Sequence, residues 1–335
     1  TLTAEASMLS RADVVFFCVP TPVEEGRACH EAVRSCAAAF AVHGRSDTLV
    51  ILESTVRPGF VSELRSLLGH GGQVALAYAP ERIDPQRSQA GMRLRDIPRL
   101  VAGVDDAARD RAALLLWRLG VMVHPVSLAV AEYAKLLENA YRLLNIAFID
   151  QLAELCRAEG IDVVEVIEAA ATKPFGYQAF YPGIGAGGHC IGVDPGFLVQ
   201  RASELGVSLS LLEGALCSNA QRPRDVAAVI AARTAPGDVL LVIGLTYKPG
   251  VADIRESSSL IAARALSGMG RQVMAFDALV PTPGDLEGIE LCVGLERATA
   301  VVLLVRQPDA VMAALSASGL PVFDATGSLS DAVEV

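Results

Sequence analysis

The chain has 335 residues, 52% apolar and 20% charged, with a net charge of −10. That length predicts two or three domains of ~150 residues, and the composition excludes disorder as the main state. The acidic balance argues against a nucleic-acid or anionic-membrane partner, and with no ~18-residue apolar run and no signal-peptide plan in residues 1–15, a cytoplasmic protein is expected.

From 11 to 125, short apolar runs alternate with amphipathic stretches: Asp13–Val19, Thr48–Leu52, Val74–Tyr78, Leu100–Gly103 and Val121–His124. The spacing predicts β/α units on a parallel sheet. The first three runs end in polar clusters, Val19-Pro20-Thr21-Pro22, Glu53-Ser54-Thr55 and Pro80-Glu81-Arg82. In an open parallel sheet the ligand crevice lies beyond the carboxyl ends of the strands, so three such clusters point to one site; ordinary strand-ending turns are the alternative. Ser127–Ala158 keeps a helical apolar period without internal Gly or Pro and predicts a helix of ~45 Å. Asp162–Ala171 and a stretch from Pro195 onward extend a helical middle region. After Thr234 the alternation returns in Asp238–Leu245, Gln272–Phe276, Ile289–Val293, Ala300–Val305 and Pro321–Phe323, which predicts a second, smaller doubly wound domain.

Seven cysteines without a CxxC pair fit neither a disulfide framework nor a zinc site, and no metal is expected. Of the 28 cations only Lys135, Lys173 and Lys248 are lysines. Glu132, Lys135, Asn139 and Arg142 fall in one stripe of the long helix. Lys135 and Asn139, one turn apart, could both donate to an oxygen that gains negative charge; a solvated helix face is the alternative. In the segment Tyr181–Pro195, Gly183, Gly185 and Gly188 formally satisfy G-x-G-x-x-G. The dinucleotide fingerprint must follow a strand and open a helix with an acid about 20 residues on, and neither condition holds here. A glycine-dense loop instead lets backbone N–H groups approach a ligand and presents Cys190 as a nucleophile, whose thiolate fraction a nearby cation or helix N-terminus raises. Asp194-Pro195 reads as an N-cap and first helical position, and capping alone is a sufficient reason for Asp194.

Taken in order, Phe17-Cys-Val-Pro-Thr-Pro22, Glu53-Ser-Thr-Val56, Pro80-Glu-Arg82, Glu138-Asn139, Gly187-Gly-His-Cys-Ile191, Val193-Asp-Pro195 and Tyr247-Lys-Pro249 with Asp253-Ile-Arg-Glu-Ser257 resemble the UDP-glucose/GDP-mannose dehydrogenase family of nucleotide-sugar 6-dehydrogenases. Thr172–Tyr177 before Phe180–Gly183 is most similar to the branch acting on UDP-N-acetylglucosamine. The resemblance implies an α/β fold of two Rossmann-like doubly wound domains, the first truncated, joined by a helical central domain. The boundaries expected are 1–125 for NAD binding, 126–233 for the centre and 234–335 for the nucleotide sugar, with a homodimer through the long helix. It also implies an NAD-dependent four-electron oxidation of a UDP-sugar at C6, in which Cys190 forms a thiohemiacetal and then a thioester. Lys135 and Asn139 would stabilise the oxyanion, Thr55 and Glu81 would hold the water or proton path, and Asp194 would position the hydrolytic water. Cofactor contacts carry over to Val19, Pro20, Thr21, Ser54, Thr55 and Arg255, and substrate contacts to Tyr181, Gly187, Tyr247 and Lys248.

Four features depart from the family pattern. No strand, glycine-rich turn and helix precede Asp13, so the chain is expected to be a fragment of a longer protein, with loss of NAD binding as the other explanation. Thr326 stands where an arginine is usual, Val305-Arg306-Gln307-Pro308 departs after the preceding strand, and Gly192 replaces a common proline. Two rival readings follow: a degenerate paralogue that binds a sugar nucleotide without turnover, and a two-electron 3-hydroxyacid dehydrogenase that needs no cysteine.

Overall fold

Strands form where the β-branched and aliphatic runs fall, because both faces of each must be covered by helices. The computed structural model describes residues 3–24, 27–84, 91–281, 284–286, 288–292, 294–329 and 332–334. The chain divides into two compact units, one of residues 1–140 with 193–209, the other of 141–192 with 210–335.

The first unit carries β1 (Val14–Phe17), α1 (Glu31–His43), β2 (Leu49–Leu52), α2 (Phe60–Leu67), β3 (Ala75–Tyr78), β4 (Arg99–Gly103), α3 (Asp106–Arg118) and β5 (Val123–Pro125). The long helix α4 (Leu128–Glu159) begins in the first unit and ends in the second, α5 (Val163–Ala171) belongs to the second, and α6 (Asp194–Glu204) to the first. Among the described residues the first sheet runs β1-β2-β3-β4-β5. Leu49 and Ile51 pack with Val101 and Leu116 on one face, while Val50 and Leu52 pack with Phe40, Phe60 and Leu64 on the other. This two-sided burial is why β2 reads as an unbroken apolar run instead of an alternating one. β1, β2 and β3 are parallel, with Val14 opposite Leu49 and Leu49 opposite Ala75. β4 is antiparallel to β3, which corrects the expectation of an all-parallel sheet. A parallel neighbour needs a crossover, usually a helix, whereas the described residues between β3 and β4 hold only the 3-10 turn Leu94–Asp96.

The second unit continues with α7 (Ser210–Ala232), β6 (Val239–Ile243), α8 (Ser258–Gly268), β7 (Gln272–Phe276), β8 (Gly284–Leu286), β9 (Ile289–Leu291), β10 (Ala300–Leu303), α9 (Asp309–Ser316), β11 (Val322–Asp324) and β12 (Val333–Glu334). Its sheet order is β8-β9-β7-β6-β10-β11-β12, parallel except for β8 against β9. Leu240 and Val242 face Ile230 and Leu266, and Leu241 and Ile243 face Met312 and Leu315, so this sheet is also doubly wound. Among the described residues no helix is long and apolar enough to cross a membrane.

The first residue of the polar stripe on α4 has a structural task. Helix α2 is preceded by Gly59 as its N-cap, which is in the left-handed region at φ +90° and has no side chain to cap the exposed N–H groups. The Glu132 carboxylate supplies the cap from α4, accepting from the N–H of Gly59 at 2.8 Å and of Val61 at 3.2 Å. Burial pushes the Glu132 carboxyl up, and these two bonds pull it back. Glu132→Ala is expected to destabilise the protein by about 1–3 kcal/mol by leaving both donors unmet, with a smaller loss for Glu132→Gln. Urea unfolding midpoints of the two variants test this order.

Candidate functional site

In the first unit, the loops after β1 and β2 are stapled by one hydroxyl. Ser54 Oγ donates to the Val19 carbonyl at 2.7 Å and accepts from the Val19 N–H at 2.9 Å. Ser54 and Thr21 are buried, Val19 and Thr55 half-buried, and Pro20 is exposed, so a fixed loop edge lies at the carboxyl end of the sheet. Behind it Arg99, only 2% exposed, donates to Glu53 at 2.7 Å and to the Ala79 carbonyl at 2.5 Å. This buried ion pair ties the ends of β2 and β3 together. The Cys18 thiol beside it is pushed up to about 11, first by burial and then by Glu53. Glu81 is engaged at its own turn, where both carboxylate oxygens accept from the Ile83 N–H at 2.7 and 2.8 Å. Arg82 pairs with Glu138 of α4 and donates to the Pro98 carbonyl at 2.9 Å.

The same unit brings Lys135, Asn139 and Asp194 together. Asn139 Nδ2 donates to Asp194 Oδ2 at 2.6 Å, and Lys135 Nζ stands 3.6 Å from that oxygen. Asp194 is 3% exposed and Lys135 7%, so the stripe is no solvated helix face at these positions. Asp194 is the first residue of α6, not its N-cap; Val193 holds that place, and Pro195 is the second helical residue. The Asp194 side chain meets Asn139 and Lys135 of α4, and the N-cap position belongs to Val193, which corrects the capping expectation.

In the second unit, the glycine-dense segment is held by three buried side chains. Asp150 of α4 accepts from the Gly183 N–H at 2.8 Å, and Arg222 of α7 donates to the Gly183 carbonyl at 2.8 Å. Asn219 clamps Ala186 on both sides, accepting from its N–H at 2.6 Å and donating to its carbonyl at 3.0 Å. The Gly188 N–H donates to the Glu256 carbonyl at 3.0 Å. A Cβ at Gly187 would lie 2.8 Å from that same carbonyl, and one at Gly188, φ +82°, would meet the Tyr247 ring at 2.6 Å. The glycines are therefore fixed by close approach to protein. Cys190 follows in an exposed turn. Arg255 grips Asp253 with bonds of 2.6 to 3.1 Å, and its guanidinium is held above its ordinary range first by those bonds and further by the charges of Tyr247 and Cys190. A cation thus stands within electrostatic reach of the thiol. Lys248 is half-buried in the turn after Tyr247, and Tyr181 is exposed on the wall of a cleft of about 530 Å³ that Arg222 and Thr326 also line. Thr326 donates through N–H and Oγ1 to Asp324 Oδ1, while the N–H groups of Ser328 and Leu329 donate to Oδ2.

Arg99, Asp150, Asn219 and Arg222 are the fixtures that sequence reasoning missed. Arg99 and Asp150 interrupt apolar stretches, the one local signal they give, while Asn219 and Arg222 stand in the polar run Ser218–Asp225. Asp150 is notable because burial pushes its carboxyl up to about 6, against the pull of the Gly183 N–H and Arg222, and its Oδ2 has no hydrogen-bond partner. A carboxyl whose folded value lies above its unfolded one contributes stability below about pH 4 that is lost as pH rises through about 6. Asp150→Asn keeps the acceptor for Gly183 and removes the buried charge. It is expected to stabilise the protein above pH 6 and to flatten the stability profile between pH 4 and 6, as read by thermal unfolding across that range.

Three family models match the chain: the NAD binding domain of the UDP-glucose/GDP-mannose dehydrogenase family over residues 1–118, its central domain over 129–221 and its UDP binding domain over 241–325. An NDP-N-acetyl-D-galactosaminuronic acid dehydrogenase of Ralstonia solanacearum is 33% identical over 320 residues, covering 88% of this chain and 73% of that protein. A UDP-N-acetyl-D-glucosamine 6-dehydrogenase of Pseudomonas aeruginosa is 32% identical over 289 residues, 81% and 67% of the two. Among solved structures, a UDP-D-ManNAc dehydrogenase from Pyrococcus horikoshii superimposes with a TM-score of 0.84 at 28% identity, over 98% of this chain and 81% of that one. The chain belongs to the UDP-glucose/GDP-mannose dehydrogenase family and is an NAD-dependent oxidoreductase of the nucleotide-sugar dehydrogenase class.

Proposed function

We propose that the protein oxidises C6 of UDP-N-acetylglucosamine or a related UDP-hexose to the uronic acid in two two-electron steps through a covalent adduct on Cys190. The observation that carries this reading is the buried Lys135–Asp194–Asn139 cluster, whose acid stands four residues after Cys190 in the chain. A Lys135–Asp194 pair this deeply buried, with Asn139 half-buried beside it, has no role in a solvated helix face, and the two donors suit an oxygen that gains charge. The names of the relatives, acting on N-acetylated galactose-, mannose- and glucose-type sugars, support the substrate class.

NAD⁺, when bound, accepts the hydride in each oxidation. The stapled loop Val19-Pro20-Thr21 with Ser54 and Thr55 fits such a cofactor, as a rigid edge at the carboxyl ends of β1 and β2, and Arg255 is assigned a cofactor contact. Cys190 as thiolate adds to the C6 aldehyde, forming a C–S bond and a negatively charged oxygen that Lys135 and Asn139 stabilise. Loss of hydride from C6 leaves a thioester. Water, positioned by Asp194 with Thr55 and Glu81 along the proton path, attacks the carbonyl; the C–S bond breaks, the thiol is restored and the acid leaves. Each oxyanion donor is worth ~10²–10³ in rate. Tyr181, Gly187, Tyr247 and Lys248 are assigned to the sugar nucleotide. The corresponding division of labour is 1–125 for cofactor, 126–233 for the covalent and dimer-forming centre and 234–335 for the nucleotide.

We also infer a homodimer through α4. Val130, Tyr133, Leu137, Tyr141, Phe148 and Leu155 are exposed large apolar residues that fall within ~80° of one another at 100° per residue. A second copy laying the same stripe alongside buries both at once. A cytoplasmic location is consistent with seven cysteines that form no disulfide, all of them among the described residues.

With UDP-N-acetylglucosamine and its mannosamine and galactosamine counterparts as substrates, two NADH per sugar are expected from the chain on its best substrate; one NADH per sugar refutes the four-electron scheme. Cys190→Ser is expected to stop net acid formation, and full turnover by that variant overturns covalent catalysis. Leu137→Arg with Phe148→Arg is expected to convert a dimer to a monomer in sedimentation velocity, with unchanged secondary structure by circular dichroism.

A further inference from the structure

We propose that Arg306 is the guanidinium that grips the diphosphate of the nucleotide sugar, in a crevice where the strand order of the second sheet reverses. This rests on the reading that the substrate is a nucleoside-diphosphate sugar. β6, the first strand of that sheet in sequence, lies between β7 and β10, so the chain builds outward from it in both directions. In open α/β sheets the space beyond the carboxyl ends of the strands at such a reversal receives the ligand. A cleft of about 290 Å³ lies there, walled by Tyr247 after β6, by Leu304, Val305 and Arg306 after β10, by Thr326 after β11 and by Gly183 of the clamped loop. Among the described residues that line it there is no carboxylate, and Arg306 is the one with a full charge.

The backbone that carries Arg306 is fixed on both sides. Before it, Val305 is pressed against Gly244, where φ is +93° and a Cβ would lie 2.6 Å from the Val305 main chain. After it, the Gln307 amide is buried, accepting from the Ala278 N–H at 2.9 Å and donating to the Val305 carbonyl at 3.2 Å. The acids at the neighbouring strand ends face into the scaffold: Asp277 accepts from the N–H groups of Leu245 and Thr246, and Asp324 from those of Thr326, Ser328 and Leu329. The Arg306 side chain is 56% exposed and its guanidinium contacts Asp309, whose side chain is 94% exposed, at 3.1 Å. A surface pair of this kind holds a guanidinium weakly, whereas a diphosphate offers it two parallel, charge-assisted bonds. An anchored backbone with a loosely held fork suits capture of an entering anion. Thr326 and Arg306, which lie in the two C-terminal departures from the family pattern, thus line one cleft, the cation in the loop after β10 and the threonine in the loop after the neighbouring β11.

Isothermal titration of the full chain with UDP and with uridine tests the assignment. Arg306→Ala is expected to weaken UDP binding about 10- to 100-fold, Arg306→Lys less, with uridine binding and the KM for NAD⁺ unchanged. A UDP affinity of the alanine variant within about twofold of the parent overturns the role of Arg306, as does an equal loss for uridine. If the parent itself fails to bind UDP, the nucleotide-sugar reading falls and this assignment with it; if the parent binds UDP and Arg306→Ala leaves it untouched, only the assignment falls.

Discussion

A carboxylate that is 3% exposed must find a cation and a donor or lose its charge, and Asp194 finds both on one helix. Lys135 and Asn139 are separated by one turn of α4, so both side chains reach the same oxygen, and Asp194 is held at the start of α6 by contacts from outside its own helix. Removing Lys135 or Asp194 would strand the other's charge in a buried place, which costs far more than a surface pair gains. That asymmetry makes the register between α4 and α6 narrow. It also means that the two donors are already engaged before any substrate arrives, so a substrate oxygen gaining charge shares them with Asp194 instead of meeting idle groups.

The same economy of long-range polar contacts governs the glycine segment. Its conformation is imposed by Asp150, Asn219 and Arg222, which come from helices on either side of it in the chain and bind its peptide groups at Gly183 and Ala186. Close approach to Glu256 and Tyr247 then fixes Gly187 and Gly188. The loop is thus a mount for Cys190 whose rigidity is borrowed from the helices, and the buried acid Asp150 anchors the Gly183 peptide to α4.

What was legible in the sequence follows from this. Doubly buried strands such as Leu49–Leu52 and Val239–Ile243 are continuous apolar runs, and the ordered motifs around Ser54, Glu81, Asn139, Cys190 and Tyr247 carry the family directly. Two things were not legible. The direction of β4 depends on whether a crossover helix forms in the preceding segment, and an apolar run reads the same in either direction. The fixtures Arg99, Asp150, Asn219 and Arg222 form hydrogen bonds with partners 20 to 68 residues away in the chain, so no local spacing marks them. Asp194 shows the limit of local reasoning most clearly: Asp-Pro is a sound start signal for a helix, and the helix does start there, yet the side chain answers to Lys135 and Asn139.

The choice of cation follows the division between scaffold and chemistry. This chain places arginine wherever a static fork is needed: Arg255 spans both oxygens of Asp253, Arg99 bridges Glu53 and the Ala79 carbonyl, and Arg222 bridges the Gly183 carbonyl and Glu154. A planar guanidinium in such a place is locked by its own geometry. At position 135 the sequence keeps one of its three lysines, whose ammonium meets Asp194 at a single oxygen already held by Asn139. A compact charge on a rotatable stem can be divided between that oxygen and another without breaking a fork, and it can release a proton, neither of which a guanidinium does. Where charge must shift during a reaction the ammonium is the suitable group, and where a loop must stay still the guanidinium is.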